Sequence, residues 1–416
     1  MARRSVGYYY SGLAALEGML RYSEREVEMN LRTRLPTCSV PLVLIGCLLC
    51  SLIWAAAAGS PRPPSPAGLC QAAQTSRTAS PQSDDVESAP LFPVVDHGKW
   101  GYIDKTGKMV IQPAYLDAYP FDEGVAFVQT SSWDDLARNP FKRSWESRFI
   151  RLMGLIDKTG KQITAHDYAV IKPPYFSEGL APVRIIRRFA FIDKTGTLVI
   201  PPGSTRYKDM TFEDASHFQE GLAAVRVHGK WGYIDKTGTM VISPQFSEAE
   251  NFAEGLSPVK LGKKYGYIDK TGKMIIPAAY ENAYMYTENL AAVKTGGKWG
   301  HIDKTGAMII PPQFPDAYGF SEGLATVKTG GKWGYVDKTG TVVIPAQYED
   351  ALRHSEELAG VKLSGKWGYI DKTGTMVISP QFTRVFVFRD GLGAVWVGEK
   401  LGYVDHAGKY IWTPRD

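Results

Sequence analysis

One short motif recurs nine times between residues 98 and 408. The clearest copy reads Gly-Lys-Trp-Gly-Tyr-Ile-Asp-Lys-Thr-Gly from residue 98, and the last six copies follow one another at a constant period of 34 residues. A fixed period of this length is typical of a stacked array in which each unit buries its apolar face against its neighbours. The aspartates of the nine copies are Asp104, Asp157, Asp193, Asp235, Asp269, Asp303, Asp337, Asp371 and Asp405.

Each copy has the pattern of three short strands joined by turns. In residues 290–310 the runs Leu-Ala-Ala-Val, Lys-Trp-Gly-His-Ile and Ala-Met-Ile-Ile are rich in β-branched and aromatic residues. Such runs between glycine-bearing turns favour an antiparallel meander over a helix. We therefore predict an all-β fold, a tandem array of about nine three-stranded antiparallel meanders with a 34-residue period.

The Asp-Lys-Thr-Gly segment predicts a tight turn. The aspartate can accept hydrogen bonds from backbone N–H groups of the turn, and the glycine can take the left-handed conformation that closes it. Lysine follows the aspartate in all but one copy, and glycine-rich calcium-binding nonapeptides are missing, so we predict a structural role and no metal. The predicted turn pairs are Asp104 with Gly107, Asp235 with Gly238, Asp269 with Gly272, Asp303 with Gly306, Asp337 with Gly340, and Asp371 with Gly374.

The first and last strands of the array indicate whether it closes into a ring. The repeats begin on an equivalent of strand one and end on an equivalent of strand three, so every meander is completed locally. Closed propellers usually have four to eight blades. The final copy is also degraded, with Leu401 in place of tryptophan, as a terminal cap would be. We expect an open or superhelical array, with a closed β-propeller-like ring as the alternative.

Two packing expectations follow from the motif. Glycine inside a strand, as at Gly101, indicates a bend or a close approach, and we expect an aromatic ring to lie over it. Aromatic residues also recur in the stretches that link the meanders, and we expect them to plug the seams between units. They are Tyr115, Phe246, Tyr280, Phe314, Tyr348 and Phe382.

The Lys-Trp-Gly-Tyr-Ile-Asp-Lys-Thr-Gly units resemble those of the WG-repeat family of bacterial proteins. The resemblance covers about three quarters of the chain. It implies a β-repeat fold and no catalytic activity common to the family. The second and third copies depart from the motif at residues 151–154 and 188–191, so we expect these two units to pack differently.

The chain upstream of the repeats has the features of an export signal. Residues 29–58 contain Arg32 and Arg34, an apolar stretch and small residues before a possible cleavage site, whereas residues 1–28 have the character of a mis-assigned upstream extension. Residues 59–90 are rich in Ser, Pro and Ala and predict a disordered linker to the repeat domain at 91–416. We expect an exported protein, periplasmic or extracellular; the alternatives are a lipid anchor at Cys47 or an uncleaved signal anchor.

Charge and cysteine content exclude several classes. The formal net charge is +5, and it falls to +3 without residues 1–58, with no basic run in the repeats. Nucleic-acid binding usually needs clustered Lys and Arg, so we predict none. All four cysteines precede the repeats, so no disulfide can stabilise the array. We also expect no membrane contact by the mature repeat domain.

A search for catalytic motifs gives only one weak candidate. Lys-Thr-Gly together with Ser257-Pro-Val-Lys260 matches motifs of penicillin-binding enzymes, but here Lys-Thr-Gly is the repeated turn and Ser257 lies on a predicted strand. The chain has no Gly-x-Ser-x-Gly, His-Glu-x-x-His or phosphate-binding glycine loop. We predict neither an enzyme nor a cofactor.

The longest interruption of the repeat is the most specific clue to binding. Asp104 and Asp157 are 53 residues apart, and the excess lies at about residues 130–148. Insertions in repeat arrays often project from the binding face, and tryptophan beside carboxylates suits stacking on sugars or holding a peptide. The candidate ligand-binding residues are Trp133, Asp134, Asp135 and Trp145. Packing of this loop against the second and third copies is the alternative.

These observations favour an exported, non-enzymatic β-repeat protein that offers an extended surface to an envelope protein or glycan. A hydrolase or lyase acting on cell-wall polymer is the first alternative, and it would need Asp, Glu and His converging in one groove. A passive structural spacer is the second.

Overall fold

The computed structural model describes residues 89–130, 151–170, 175–185, 188–202 and 211–415. In these ranges every regular element is a β-strand, and the strands form nine antiparallel units, which we call blades 1 to 9 in chain order. The predicted all-β array of about nine repeated meanders is confirmed.

The strands of blades 1 to 3 are β1 (Phe92–Asp96), β2 (Lys99–Ile103), β3 (Met109–Tyr115); β4 (Asp117–Ala118), β5 (Val125–Gln129), β6 (Arg151–Asp157), β7 (Gln162–Val170); and β8 (Leu180–Ile185), β9 (Arg188–Asp193), β10 (Leu198–Ile200). Those of blades 4 to 6 are β11 (Asp214–Ala215), β12 (Leu222–Val227), β13 (Lys230–Asp235), β14 (Met240–Phe246); β15 (Glu248–Ala249), β16 (Ser257–Leu261), β17 (Lys264–Ile268), β18 (Met274–Tyr280); and β19 (Asn282–Ala283), β20 (Ala291–Thr295), β21 (Lys298–Ile302), β22 (Met308–Phe314). Those of blades 7 to 9 are β23 (Asp316–Ser321), β24 (Leu324–Thr329), β25 (Lys332–Val336), β26 (Val342–Tyr348); β27 (Asp350–Ala351), β28 (Ala359–Leu363), β29 (Lys366–Ile370), β30 (Met376–Phe382); and β31 (Arg384–Val385), β32 (Gly393–Val397), β33 (Lys400–Val404), β34 (Tyr410–Trp412).

Most blades have four strands rather than the predicted three. A short strand, often only two residues long, precedes the meander and pairs with its first long strand, as Asp350 does with Lys362. A pair such as Asp350 and Ala351 is too short to show any hydrophobic alternation, so the sequence pattern could not reveal it. The order in a regular blade is short strand, two central strands and an exposed last strand.

Backbone, and not an aromatic ring, lies over the glycine of the Trp-Gly motif. Between the pairs Trp333↔Tyr348 and Tyr335↔Ile344 the last strand has two extra residues, which form a bulge. A Cβ on Gly334 would lie 2.5 Å from the Ile344 carbonyl oxygen and 2.7 Å from the Ala346 nitrogen. The same contact recurs at Gly101, so the expected aromatic ring there is wrong: the bulged strand itself needs the space.

Blades 2 and 3 differ from the others, as their sequences predict. β7 is nine residues long and continues far enough to pair with β8 through Ala169 and Arg184. The two blades therefore share a single seven-stranded sheet.

Apolar seams hold successive blades together. The seam between blades 6 and 7 buries Trp299, Phe314, Ala317 and Phe320 in one cluster. A hydrogen bond adds to many seams, because the tyrosine of the motif donates to a carbonyl 17 residues further on, as Tyr335 does to Leu352 at 2.7 Å. The linking aromatics take part as expected, each paired across the strands with the aromatic residue that opens the motif.

The array closes into a ring, so the expected open arrangement is wrong and the alternative is correct. Phe92 and Val94 of blade 1 are buried with Leu401 and Trp412 of blade 9. The Tyr403 hydroxyl donates to the Pro93 carbonyl at 3.0 Å. The degraded last copy is therefore no cap: its substitutions make an apolar face that fits blade 1, and burying both terminal faces removes them from water.

One contact shows which strands lie innermost. Arg389 of blade 9 reaches past blade 1 to blade 2, where its Nη2 is 3.1 Å from the Asp122 Oδ1. Blades two places apart can meet only near the centre of a ring. Both residues lie in the turn between the short strand and the next strand, which we call the inner turn. The short strands therefore surround the centre and the last strands face outward.

Candidate functional site

The predicted binding residues Trp133, Asp134, Asp135 and Trp145 lie outside the described residues. The insertion that carries them falls between β5 and β6 of blade 2. Its role in binding stays a prediction.

The predicted turn aspartates all have one geometry. In blade 8 the Asp371 Oδ1 accepts hydrogen bonds from the Thr373 N–H at 2.8 Å, the Thr373 hydroxyl at 2.6 Å and the Thr375 N–H at 3.0 Å. The hydroxyl and the N–H groups stabilise the carboxylate and lower its pKa. Gly374 has a φ of +88°, in the left-handed region. These aspartates close turns, and within the described ranges no three metal-ligating side chains converge on a possible ion site.

A ladder of glutamates joins the inner turns of successive blades, and sequence reasoning missed it. The Glu288 carboxylate of blade 6 accepts the Gly323 N–H of blade 7 at 3.0 Å and pairs with the Lys338 ammonium of blade 7 at 3.0 Å. The lysine is the one in the Asp-Lys-Thr-Gly turn, so its repetition reflects a contact between blades. The other pairs are Glu123 with Lys194, Glu178 with Lys236, Glu220 with Lys270, Glu254 with Lys304, and Glu322 with Lys372.

In each regular blade a row of polar and aromatic side chains crosses the sheet at the end of the strands away from the inner turn. Cross-strand partners share one face of a sheet, so Asp316, Lys328, Trp333 and Tyr348 form such a row in blade 7. The Lys328 ammonium lies 5.3 Å from the centre of the Trp333 ring, a cation–π contact. In blade 6 the Lys294 ammonium lies 5.9 Å from the Trp299 ring in the same way.

Two tyrosines cover these tryptophans and remain partly exposed. The Tyr284 ring stacks on Trp299 with centroids 4.8 Å apart and planes 4° apart, and Tyr318 stacks on Trp333 at 5.3 Å and 14°. The tyrosine rings lie 6.0 Å from each other. Trp299 and Trp333 are buried, whereas Tyr284 is 37% exposed and Tyr318 43%. We call the four rings the inner aromatic site, since Tyr284 directly follows the short strand β19 and Tyr318 lies on β23, the first strand of its blade.

Burial and acidic groups both raise the pKa values of the two tyrosines. Burial raises the pKa of Tyr284 to about 12, and the nearby Asp316 and Glu250 act in the same direction. Burial also raises the pKa of Tyr318, with smaller contributions from Asp316 and Asp350. Both side chains are therefore neutral phenols at physiological pH, able to donate and accept hydrogen bonds.

The inner aromatic site was missed because its position varies between copies. The equivalents of Tyr284 and Tyr318 are Tyr119 in blade 2, Ser216 in blade 4, Glu250 in blade 5, Leu352 in blade 8 and Phe386 in blade 9. The next position also varies, with Asn251, Met285, Gly319, Arg353 and Val387. A search for regularity discards such variable positions.

The catalytic candidates have structural partners. The buried Ser257 hydroxyl is 2.7 Å from the Tyr233 hydroxyl and donates to the Glu250 carbonyl at 2.8 Å. Lys260 stands three residues further along β16, on the opposite face, and pairs with Glu248. Ser257 and Lys260 therefore do not form an acylation pair.

The buried histidines replace tyrosine or phenylalanine in the seams. His301 Nε2 is 2.9 Å from the Tyr318 carbonyl oxygen and occupies the place of the motif tyrosine. His354 Nε2 is 3.4 Å from the Asp371 carbonyl oxygen. Burial lowers the pKa of both, so they are neutral seam residues at physiological pH.

Within the described ranges the chain has no helix long and apolar enough to cross a bilayer.

Solved structures similar to this chain match it at low sequence identity, and the first of those named here shares its fold. A crystal structure of a eukaryotic initiation factor is 11% identical, with a TM-score of 0.55, over 79% of this chain and 96% of that one. The dihydro-heme d1 dehydrogenase NirN in complex with DHE is 14% identical, with a TM-score of 0.43, over 79% and 74%. BamB from Moraxella catarrhalis is 10% identical, with a TM-score of 0.33, over 76% and 94%.

No curated protein is significantly similar to this chain in sequence. One family profile, described as the WG containing repeat, matches eight times. The matched residues are 100–131, 153–185, 209–231, 231–265, 265–299, 299–333, 333–367 and 367–400. These segments cover more than half of the chain, and most of them run from a central strand of one blade into the next blade. This nine-bladed propeller is a member of the WG containing repeat family.

Proposed function

We propose that this protein is an exported, non-enzymatic propeller that binds a protein or glycan of the cell envelope through its inner aromatic site. The exposure of Tyr284 and Tyr318 above two buried tryptophans carries the proposal. Export rests on the signal-like character of residues 29–58.

Stacking makes the exposed rings suitable for recognition. Each tyrosine is held against a tryptophan, so little side-chain freedom remains to be lost when a partner binds. Tyrosine offers a large apolar face with a polar tip, a combination common at binding surfaces.

A purely structural role for these tyrosines is less consistent with the rest of the ring. In blade 8 the equivalent position is Leu352, which packs in the cluster that holds Trp367, and Trp367 is only 9% exposed. A leucine therefore covers the tryptophan adequately. The phenol rings of blades 6 and 7 add exposed aromatic surface that covering a tryptophan does not require.

A hydrolytic role finds little support among the described side chains. The carboxyl with the clearest raised pKa is Asp122, at about 6, because burial outweighs the effect of Arg389. Asp122 pairs with that arginine at the ring closure; Glu123 and Asp390 also raise its pKa, and among the described residues no histidine is paired with it.

The test compares capture of envelope components by four forms of the protein. We expect the double variant Tyr284→Ala/Tyr318→Ala to lose a component that the wild type and Tyr318→Phe both retain, because phenylalanine keeps the stacking face. Leu352→Ala is the matched control, since it shortens a tryptophan cover outside the site. Equal capture by all four would contradict the proposal.

Deletion of residues 130–148 separates the two candidate binding regions. Loss of the component only in this deletion, with an unchanged circular dichroism spectrum, would assign binding to the insertion instead. If neither the deletion nor the double variant changes capture, a passive spacer is the better description.

A further inference from the structure

The geometry points to an uncharged saccharide as the ligand of the inner aromatic site. This inference rests on the proposed function and specifies it. The site combines stacked rings with polar groups nearby, and its charged groups are of both signs.

The rings suit the face of a sugar. A pyranose presents a patch of C–H bonds that stacks on an aromatic ring, and its hydroxyls point outward around that patch. Tyr284 and Tyr318 lie 6.0 Å apart with their planes tilted by 32°, so one ligand can contact both exposed rings, which we call the platform. The tryptophans behind them fix its shape. Stacking on a rigid aromatic surface needs no charge on the ligand.

The polar groups nearby can bond to hydroxyls. Asp316 and Asp350 carry carboxylates that accept hydrogen bonds, and the ammonium of Lys328, the cross-strand partner of Asp316, is a donor. Asp350 is exposed at the surface, and local desolvation raises its pKa above the ordinary value. A sugar hydroxyl can donate to one group and accept from the other, so this mixture matches a polyol.

Charges of both signs lie at the site, and neither sign forms a cluster. Asp316 is the cross-strand partner of Lys328, and Asp350 is the partner of Lys362. In blade 6 Lys294 faces the neutral Asn282. Both lysines of blades 6 and 7 are also engaged with tryptophan rings. A polyanion or a basic peptide would need an excess of one sign, which these rows do not offer.

The binding test uses the native tryptophan signal of the full-length protein. Because Trp299 and Trp333 contact the two tyrosines, a saccharide on the platform should change tryptophan fluorescence. The probes are three neutral oligosaccharides, chitotetraose, cellotetraose and maltotetraose, with an acidic and a basic peptide for comparison. We expect saturable binding of at least one saccharide and of neither peptide.

Substitutions test whether the change in tryptophan fluorescence arises from binding at the platform. We expect Tyr318→Ala to weaken saccharide binding about tenfold, since about 1.4 kcal/mol of stacking is lost. Tyr318→Phe should stay within about threefold of the wild type, and Leu352→Ala should be unchanged. Raising the salt from about 50 mM to about 500 mM should change the affinity less than about twofold, because no charge is neutralised.

The outcomes distinguish this inference from the proposed function. Absence of binding by all three saccharides, or equal binding by Tyr284→Ala/Tyr318→Ala, overturns the saccharide inference. If the same double variant nevertheless loses its envelope component, the proposed function stands, and a peptide that binds the wild type alone identifies a protein partner. If saccharide binding is site-dependent but capture is unaffected, the inference stands and the envelope role fails.

Discussion

The seams between blades 4 and 8 and the seam that closes the ring both hold neighbouring blades together, but they use different contacts. In the regular seams a glutamate such as Glu288 joins an N–H group and a lysine of the next blade. Eleven residues before Trp100, where this glutamate should stand, the sequence has Ala89, and the next residue is Pro90, which has no N–H to donate. The ladder therefore cannot continue through blade 1.

Other contacts replace the ladder at the closure. Arg389 spans blade 1 to reach Asp122, and the Arg415 guanidinium lies 3.6 Å from Asp96. Apolar burial of Phe92 against Tyr403 supplies the rest. A repeat array can be held together by one contact used many times, but joining its two ends requires residues that occur once.

The largest effect should come from filling the space under a bulge in a regular blade. We expect Gly334→Ala to lower the free energy of unfolding by about 3 kcal/mol, since its Cβ meets backbone atoms of the last strand. In blade 9 a Cβ on Gly402 would lie 2.7 Å from a Pro414 ring carbon and 2.9 Å from the Trp412 carbonyl oxygen. Only one of its closest contacts is with backbone, so Gly402→Ala should cost less, about 2 kcal/mol. Urea unfolding measures both values.

A control separates backbone conformation from the clash. Gly330 has a φ of +57° and open space around its Cβ position, so Gly330→Ala should cost about 1 kcal/mol for the left-handed conformation alone. An equal loss at Gly334 and Gly402 would show that the terminal blade is as rigid as the regular ones.

The closure should respond to pH through Asp122. Burial raises the pKa of this carboxyl to about 6, above its unfolded value. Its effect on stability is therefore most favourable below the unfolded pKa and is lost as the pH rises through about 6. Arg389→Met should cost about 2 kcal/mol at about pH 8, where the carboxylate loses its partner, and less at about pH 5, where it can take a proton.

The reason for that loss can be checked with a second substitution. Asp122→Asn in the Arg389→Met background should recover most of the stability at high pH, because no buried charge remains. A loss that does not depend on pH would instead assign the arginine a packing role.

The next effect in size concerns the turn aspartates, which should contribute less to stability in blade 9 than in the other blades. Asp371 accepts a hydroxyl hydrogen bond from Thr373, whereas Asp405 has Ala407 at that place and accepts only from two N–H groups. We expect Asp371→Ala to lower Tm more than Asp405→Ala, and Ala407→Thr to raise it. The pKa of Asp371 is lowered, so its contribution is present above the unfolded pKa and is lost as the pH falls through the folded one. Scanning calorimetry at neutral and acid pH measures this.

The smallest effect concerns the missing carboxylate of blade 1. The Lys158 ammonium lies 2.7 Å from the Ala89 carbonyl oxygen. Ala89→Glu should stabilise the ring by about 0.5 kcal/mol by giving this lysine a carboxylate, and Glu288→Gln should remove a similar amount from a regular seam. Both effects should shrink in high salt, and an Ala89→Glu variant less stable than the wild type would contradict the comparison.

The features that could be predicted from the sequence are those set by residues close together in the chain. The strands, the period and the Asp-Lys-Thr-Gly turn depend on neighbouring residues, so their patterns were readable. The role of Lys338 in joining two blades could not be read from the sequence, because its partner Glu288 lies in another blade. The bulge over Gly334 was missed for a related reason, since the two extra residues belong to a different strand.

The sequence by itself determined that this protein is a row of similar antiparallel units with apolar seams, because strand formation and turn closure are short-range. Tertiary structure alone decided that the row closes, that Arg389 meets Asp122, and that Tyr284 lies beside Tyr318. These contacts join residues from different blades. Closure depends on the small rotation added by every seam, and no single copy of the motif contains that sum.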